Sequence, residues 1–396
     1  MSSGRSNYRL VPVGDFLRED VETVDPRQSP EEVFELWSIP AHDKGTPEVV
    51  VGSQVGSHKK LVKPGDVLLS KIVPHIQRSR VVGRSEECRR IIASTEWIVF
   101  SGEQANPQFL REVLTSELFH RKFMETITGV GGSLARANPK AVSKIKIPLP
   151  PLAEQRKIAE ILRTWDEAIE IAEAEHESLV KQLNGLVQSL ALRIPEGKAP
   201  NGWVDRQIGD LVVEVDRRVE WDDDMTYKLV SCARRSGGIF HREDKLGSEI
   251  AVKKMQEIRS GDFILSRMQV LHGGWAMVEP DFAGHHVSDM YMILEPRTDR
   301  LYMSYFDWIS RTSWMRHLAY LASYGVHIEK MTFVPKLFLK SKVRIPDSIA
   351  EQKRIAEILD GFSQKVEISS ALLELLRNQK RGLMQKLLTG EVRVAA

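Results

Sequence analysis

The sequence predicts an α+β fold written twice: two domains of mixed strands and short helices, each running into one long helix. Three observations carry this expectation. The stretch "AEQRKIAEIL" from Ala153 to Leu162 returns as "AEQKRIAEIL" from Ala350 to Leu359, similar segments flank both copies, and after each copy apolar residues fall in alternating steps of four and three.

The flanking matches extend the repeat over the chain. "KPGDVLLSKI" (Lys63 to Ile72) answers "RSGDFILSRM" (Arg259 to Met268), and "STEWIVF" (Ser94 to Phe100) answers "SDMYMIL" (Ser288 to Leu294). "VGDFL" near the start has its partner in "IGDLV" at Ile208 to Val212, and "GLVQSLAL" (Gly185 to Leu192) pairs with "GLMQKLLT" (Gly382 to Thr389). A period of roughly 196 residues means two domain-sized units and excludes a solenoid, which stacks three or more short repeats.

Composition agrees. A chain of 396 residues suits two to three domains, and 42% hydrophobic with 28% charged residues is ordinary for a soluble globular protein. Cys88 and Cys232 cannot build a disulfide framework, and no apolar run approaches the roughly 20 residues that span a bilayer. The start "MSSGRSNYRL" lacks the apolar core of a secretory signal, so a cytoplasmic protein with nothing cleaved off is expected. Net charge is +2 and the isoelectric point about 8.4, so the distribution of charge matters more than its sum.

Within each copy the pattern changes once. The first ~150 residues mix β-branched runs ("EVVVG", "DVLLSKIV", "EWIVF") with turn residues, which reads as strands with a few helices such as Asn106 to Ile127. The first long helix places Ile158, Leu162, Trp165, Ile169, Ala172, Leu179, Leu183, Leu186, Val187 and Leu190 on one seam, interrupted by His176. The second repeats the seam with Ile355, Leu359, Phe362, Val366, Leu373, Leu376, Leu383 and Leu387, broken by Ser369 and Lys380. Pro150 and Pro151 suit a first helical turn, and Ser348 followed by Glu351 reads as a capping box. From Leu152 to Leu190 the rise gives roughly 58 Å, too long for one small domain to cover, so each helix needs a partner and the other copy is the nearest. Two amphipathic helices, each lying on its own domain, are the other reading.

A strand-rich domain ending in "KIKIPLPPLAEQRKIAEIL" and a second ending in "KVRIPDSIAEQKRIAEIL", each followed by a long helix, resemble the specificity subunits of type I restriction-modification systems. The second copy has lost two prolines from the motif. The resemblance implies an α+β fold with two pseudo-symmetric α/β target-recognition domains joined by two long helices that form an antiparallel coiled coil. It places recognition domains at 1–150 and 194–345 and helical spacers at 151–193 and 346–396. It also implies that each domain reads one half of a split double-stranded DNA site, with two methyltransferase subunits and the restriction subunits as partners. S-adenosylmethionine, ATP and magnesium would then sit on those partners, and no cofactor in this chain.

Residue chemistry supports DNA binding independently. His58 to Arg90 carries nine Lys or Arg against three acids, and Arg297 to Arg344 again carries nine against three. Acids gather instead at "REDVE" and along the first long helix, at Glu160, Asp166, Glu167, Glu170, Glu173, Glu175 and Glu177. Phosphate contacts need positive side chains on one surface, and Arg, Gln and Lys have the geometry to bond purine edges. After the "PGD" and "SGD" turns, the strand ends present Lys71 and Arg267, and the loops that follow present His75, Gln77, Arg78, Arg80, Gln269 and His272. The loop "GVGGSLARANPK" offers Ser133, Arg136, Asn138 and Lys140, and its counterpart "SYGVHIEKM" offers Tyr324, His327 and Lys330. The repeated motif itself, at Glu154, Gln155, Arg156, Glu351, Gln352 and Lys353, is expected to cap helices and meet partner subunits.

Catalytic motifs are not convincing. "NPQF" at Asn106 to Phe109 approximates an amino-methyltransferase motif but lacks one proline, and it reads as Asn106 capping a helix with Pro107 first. "PDSIAEQK" mimics a nuclease metal site with the wrong spacing, and Pro151 stands where Asp347 would correspond. His285 with His286 lacks a spaced zinc set, and no Walker loop is found. A non-catalytic recognition subunit is expected, its two unlike halves reading an asymmetric site with half-site centres about one to one and a half turns apart. A coiled-coil protein–protein scaffold without nucleic-acid binding is the alternative, and it leaves the repeated basic segments unexplained.

Overall fold

The computed structural model describes residues 8–85, 87–128, 135–191 and 193–395. Its chain is α+β and divides into two compact units, Met1–Glu173 with Ala371–Ala396, and Ala174–Ser370. Both long helices cross that division. The first runs Leu152–Leu186 and ends in a π-helical turn, Val187–Ala191; the second runs Ile349–Thr389.

In unit 1 a five-stranded sheet has the order Thr23–Val24, Lys59–Val62, Arg90–Ala93, Val33–Trp37, Glu48–Val51, with one parallel pair, Val33–Trp37 beside Arg90–Ala93. A second sheet sets Val67–Ser70 between Ser79–Val81 and Trp97–Phe100. Strand Arg9–Pro12 pairs with Lys146–Leu149, the last strand before the first long helix. Unit 2 repeats the plan. Thr226–Cys232 lies between Ile239–Leu246 and, in parallel, His286–Ser288; Phe263–Ser266 lies between Trp275–Met277 and Tyr291–Pro296; Trp203–Gln207 pairs with Lys342–Pro346.

The repeated turns explain themselves locally. Gly65 and Gly261 take φ of 90° and 86°, a left-handed conformation that glycine adopts freely. The next residue closes each turn: Asp66 accepts from Lys63 N at 2.8 Å, and Asp262 from Arg259 N at 2.7 Å. Each buried carboxylate is then matched by a guanidinium, Arg18 on Asp66 and Arg217 on Asp262, because an unpaired buried charge is costly. Burial nonetheless pushes Asp66 above the usual carboxylate range, while the Asp262 hydrogen bond raises Arg217. "VGDFL" repeats as "IGDLV" for a packing reason: a Cβ on Gly14 would meet Ser143 O at 2.8 Å, and one on Gly209 would meet Leu339 O at 3.3 Å.

The expected helix Asn106 to Ile127 is two helices, Pro107–Thr115 and Glu117–Met124. Asn106 caps the first, accepting from Phe109 N at 3.0 Å, with Pro107 at its first position. Ser116 takes an extended conformation (ψ 149°) and caps the second from Phe119 N at 3.2 Å, so the chain breaks where a hydroxyl can satisfy the new helix start.

The helices pack as the seams require. In unit 1, Ile158, Ala159 and Leu162 share a core with Leu387 and Leu388 as well as with Phe109, Phe119 and Phe123. Glu154 meets Arg393, Asp166 meets Lys380 and Glu173 meets Arg377, so one helix rises in number as the other falls: the pairing is antiparallel. Lys380, which interrupts the apolar seam, sits 2.5 Å from Asp166 and 3.5 Å from buried Glu112. In unit 2, Leu183, Leu186, Val187 and Leu190 pack on a core that includes Ile355, Ala356 and Leu359. The Glu351 carboxylate does not reach back to close a capping box; Arg354 holds it at 2.8 and 2.9 Å.

Candidate nucleic-acid interface

In unit 1 the end of strand Val67–Ser70 and the base of the hairpin Ile127–Thr128/Arg136–Ala137 meet. Ala137 N donates to Lys71 O (2.8 Å), and Ile72 bridges Arg136. Lys71 N donates to Glu96 O, and the Glu96 carboxylate accepts from Arg136 at 3.2 and 3.4 Å with Lys71 Nζ 3.9 Å away. Lys60 donates to Trp97 O at 2.8 Å, its ammonium held below the usual lysine range first by burial and then by Lys71. Two expected readers, Lys71 and Arg136, thus converge on an acid the sequence reading passed over. The repeat carried a signal for it, since Glu96 aligns with the apolar Met290.

Val73 opens the next loop at φ 49°, a strained conformation for a β-branched residue, and His75 and Gln77 stand exposed. Gln77 faces two clefts of about 540 and 590 Å³, both lined by Arg111, Glu112 and Asp166. Three expected readers are otherwise engaged. Arg78 is bidentate on Asp43 (2.7 and 2.8 Å) with 11% of its side chain exposed. Arg80 lies over the Trp37 ring at 4.2 Å, and burial lowers its pKa. Asn138 caps the short helix Pro139–Val142, accepting from Lys140 N at 2.9 Å, so its amide oxygen is taken. Lys140 is exposed, and Ser133 lies outside the described residues.

Unit 2 uses the same frame with other side chains. Arg267 N donates to Met290 O (3.0 Å), the counterpart of the Lys71 to Glu96 bond, but the Arg267 side chain pairs with Glu214 at 2.9 Å. Gln269 accepts from Arg234 Nε at 2.9 Å, and His272 ends a 3₁₀ turn closed by Gly273 at φ 68°. Arg234 and Arg235, which the sequence reading missed, reach this loop from a neighbouring hairpin turn. The hairpin Ser323–Tyr324/Thr332–Phe333 presents Tyr324, His327 and Lys330, all exposed, around Val326 at 94% exposure.

The residues expected to meet partner subunits divide. Glu154 is buried and accepts from Tyr8 (2.8 Å) and bidentately from Arg393 (2.7 Å). Gln155 and Gln352 are also buried, bonded to backbone of their own units. Those three side chains are therefore internal ties with no surface left for a partner, a correction to the expectation. Glu351 is held by Arg354, and Arg156 and Lys353 are exposed.

No group of three or more metal-ligating side chains occurs among the described residues, and no helix among them is long and apolar enough to cross a membrane.

Residues 29–181 match the family model described as type I restriction modification DNA specificity domain. The type I restriction enzyme MjaVIII specificity subunit of Methanocaldococcus jannaschii is 24% identical over 290 residues, covering 67% of this chain and 66% of that protein, just under two thirds of its length. A chain from a structural study of complex assembly and conformational transition of the type I R-M system superposes with a TM-score of 0.62 at 19% identity, covering 99% of each chain. The type I restriction-modification S subunit from M. genitalium gives 0.57 at 11% identity, covering 98% of each. These two structural likenesses speak to the fold.

Proposed function

We propose that the chain is a specificity subunit of the type I restriction-modification kind and that it reads a bipartite, asymmetric DNA site, one half with each unit. One observation carries the reading: the frame is duplicated down to the Lys71 to Glu96 and Arg267 to Met290 backbone bonds, while the side chains mounted on it differ. A duplicated frame with unlike loops suits two unlike half-sites. Lys71 and Arg136 in unit 1, and Arg267, Gln269 and His272 in unit 2, are the proposed base-facing groups, flanked by exposed His75, Gln77, Lys140, Tyr324, His327 and Lys330.

Residues 1–150 and 194–345 would be the recognition domains, and 151–193 with 346–396 the helical spacers. The chain itself would be non-catalytic, recruiting two methyltransferase subunits and the restriction subunits, on which S-adenosylmethionine, ATP and magnesium would reside. A scaffold with no nucleic-acid role is not favoured by a match to a DNA specificity domain.

The test combines purified chain with its methyltransferase partner and maps methylated bases in random-sequence DNA. The chain alone should transfer no methyl group, and the mixture should modify one split, asymmetric site. Methyl transfer by the chain alone would overturn the adaptor reading; modification without sequence preference would overturn recognition.

A further inference from the structure

Between the paired strands Thr226–Cys232 and Ile239–Leu246 of unit 2 lies the turn "ARRSGG", residues 233–238. Ala233 N closes it on Gly238 O at 2.9 Å. Its middle is fastened to the loop that follows strand Phe263–Ser266. Arg235 N donates to His272 O at 2.6 Å, Ser236 N donates to Gly273 O at 2.9 Å, and Ser236 Oγ accepts from the buried Trp275 indole at 3.0 Å. Arg234 Nε adds its bond to Gln269.

Two features of this turn are unusual together. Arg235 and Ser236 both lie in the left-handed region, with φ of 61° and 54°, where a β-carbon is unfavourable and glycine is not. Yet Arg235 is exposed and makes no ion pair among the described residues. The strained backbone aims a cationic side chain outward beside a loop already rich in hydrogen-bonding groups.

Unit 1 treats the same place oppositely. Its connection between Val33–Trp37 and Glu48–Val51 is a helix, Ile39–Lys44, that delivers Asp43 onto Arg78 and neutralises it. Where unit 1 pairs off a cation, unit 2 leaves Arg235 exposed.

We propose that the turn at residues 233–238 is a phosphate-binding element of unit 2, with Arg235 gripping the DNA backbone beside the bases that the Gln269–Gly274 loop faces. A planar guanidinium suits a phosphate bidentately, and such contacts fix register without carrying sequence information. The inference rests on the DNA-reading function proposed above.

The experiment uses the chain assembled with its methyltransferase partner, on duplexes carrying the wild-type complex's mapped site and on duplexes mismatched in one half. Affinity is measured against salt for wild type, Arg235→Gly and Arg235→Lys, with a thermal melt of each. Glycine relaxes the strained φ, so Arg235→Gly should melt no lower than wild type while binding several-fold more weakly, on matched and mismatched duplexes alike. Losing one phosphate contact should flatten the slope of log affinity against log salt by about 0.9. Arg235→Lys should keep the slope. An Arg235→Gly complex with unchanged affinity and slope overturns the proposal, and so does a loss of preference at a single base pair with the slope intact, which would make Arg235 a base reader. Absence of any preferred site for the wild-type complex defeats the DNA-reading function instead, before a variant is tested.

Discussion

Gln155 and Gln352 make equivalent hydrogen bonds in their own units. Gln155 accepts from Asn106 N at 2.8 Å and donates to Pro150 O at 2.9 Å; Gln352 accepts from Tyr302 N and donates to Pro346 O, both at 2.9 Å. Asn106 and Tyr302 are the residues before the helices Pro107–Thr115 and Met303–Ser310, so each glutamine ties its long helix to the start of a domain helix. Gln352 also donates to Arg300 O at 3.0 Å. Replacing either by leucine leaves buried backbone groups unpaired, and a loss of about 2–4 kcal/mol in urea unfolding is expected. A variant melting with wild type would show that the tie contributes nothing.

Arg136 and Glu96 form an ion pair in unit 1 at 3.2 Å. Arg136→Ala should cost about 1–3 kcal/mol of discrimination at one half-site, read as methylation at degenerate sequences there, while the other half-site stays sharp. Glu96→Gln should do something different: it releases Lys71 and Arg136 from an acid, so affinity for non-specific DNA should rise several-fold and the salt dependence steepen. Equal loss at both half-sites in Arg136→Ala would mean unfolding in place of lost reading, and circular dichroism separates the two.

Arg80 is expected to fail as a reader. Stacked 4.2 Å over Trp37 and half-buried, it contributes packing and a cation–π contact of roughly 1 kcal/mol. Arg80→Ala should lower Tm by a few degrees and leave the recognised sequence unchanged; a changed site would return Arg80 to the interface.

What the sequence made legible follows from what repeats do. The doubled motif, the seams and the "PGD" and "SGD" turns are local patterns whose physics is local, and they are found as helices and turns where they stand. The fate of single polar residues was not legible, because it depends on neighbours distant in the chain. Nothing near Arg78 announces Asp43, and nothing near Glu154 announces Arg393. Glu154 and the two glutamines looked like surface groups because polar residues usually are; burial with complete hydrogen bonding reverses that default. Glu96 carried one signal, its alignment with the apolar Met290, whereas Arg235 gains significance only from the loop folded beside it.

The Glu154 cluster gives the stability of unit 1 a defined acid limit. Arg393 first, and Tyr8 after it, hold the Glu154 carboxyl below its usual range, while burial and the Glu154 hydrogen bond push the Tyr8 hydroxyl up to about 12. Tyr8 therefore stays a neutral donor throughout, and the carboxylate alone titrates. Because the folded-state pKa lies below the unfolded value near 4.5, its stabilising contribution is fully present above that value and is lost as pH falls through the folded one. Glutamine at this position cannot take the bidentate Arg393 contact at any pH. Melting wild type and Glu154→Gln from pH 7 to pH 3 should thus show wild type higher by several degrees at neutral pH, with the gap closing below the unfolded value. A gap that stayed constant into acid would mean that Glu154 stabilises the fold by its shape and hydrogen bonding alone, with no contribution from its charge.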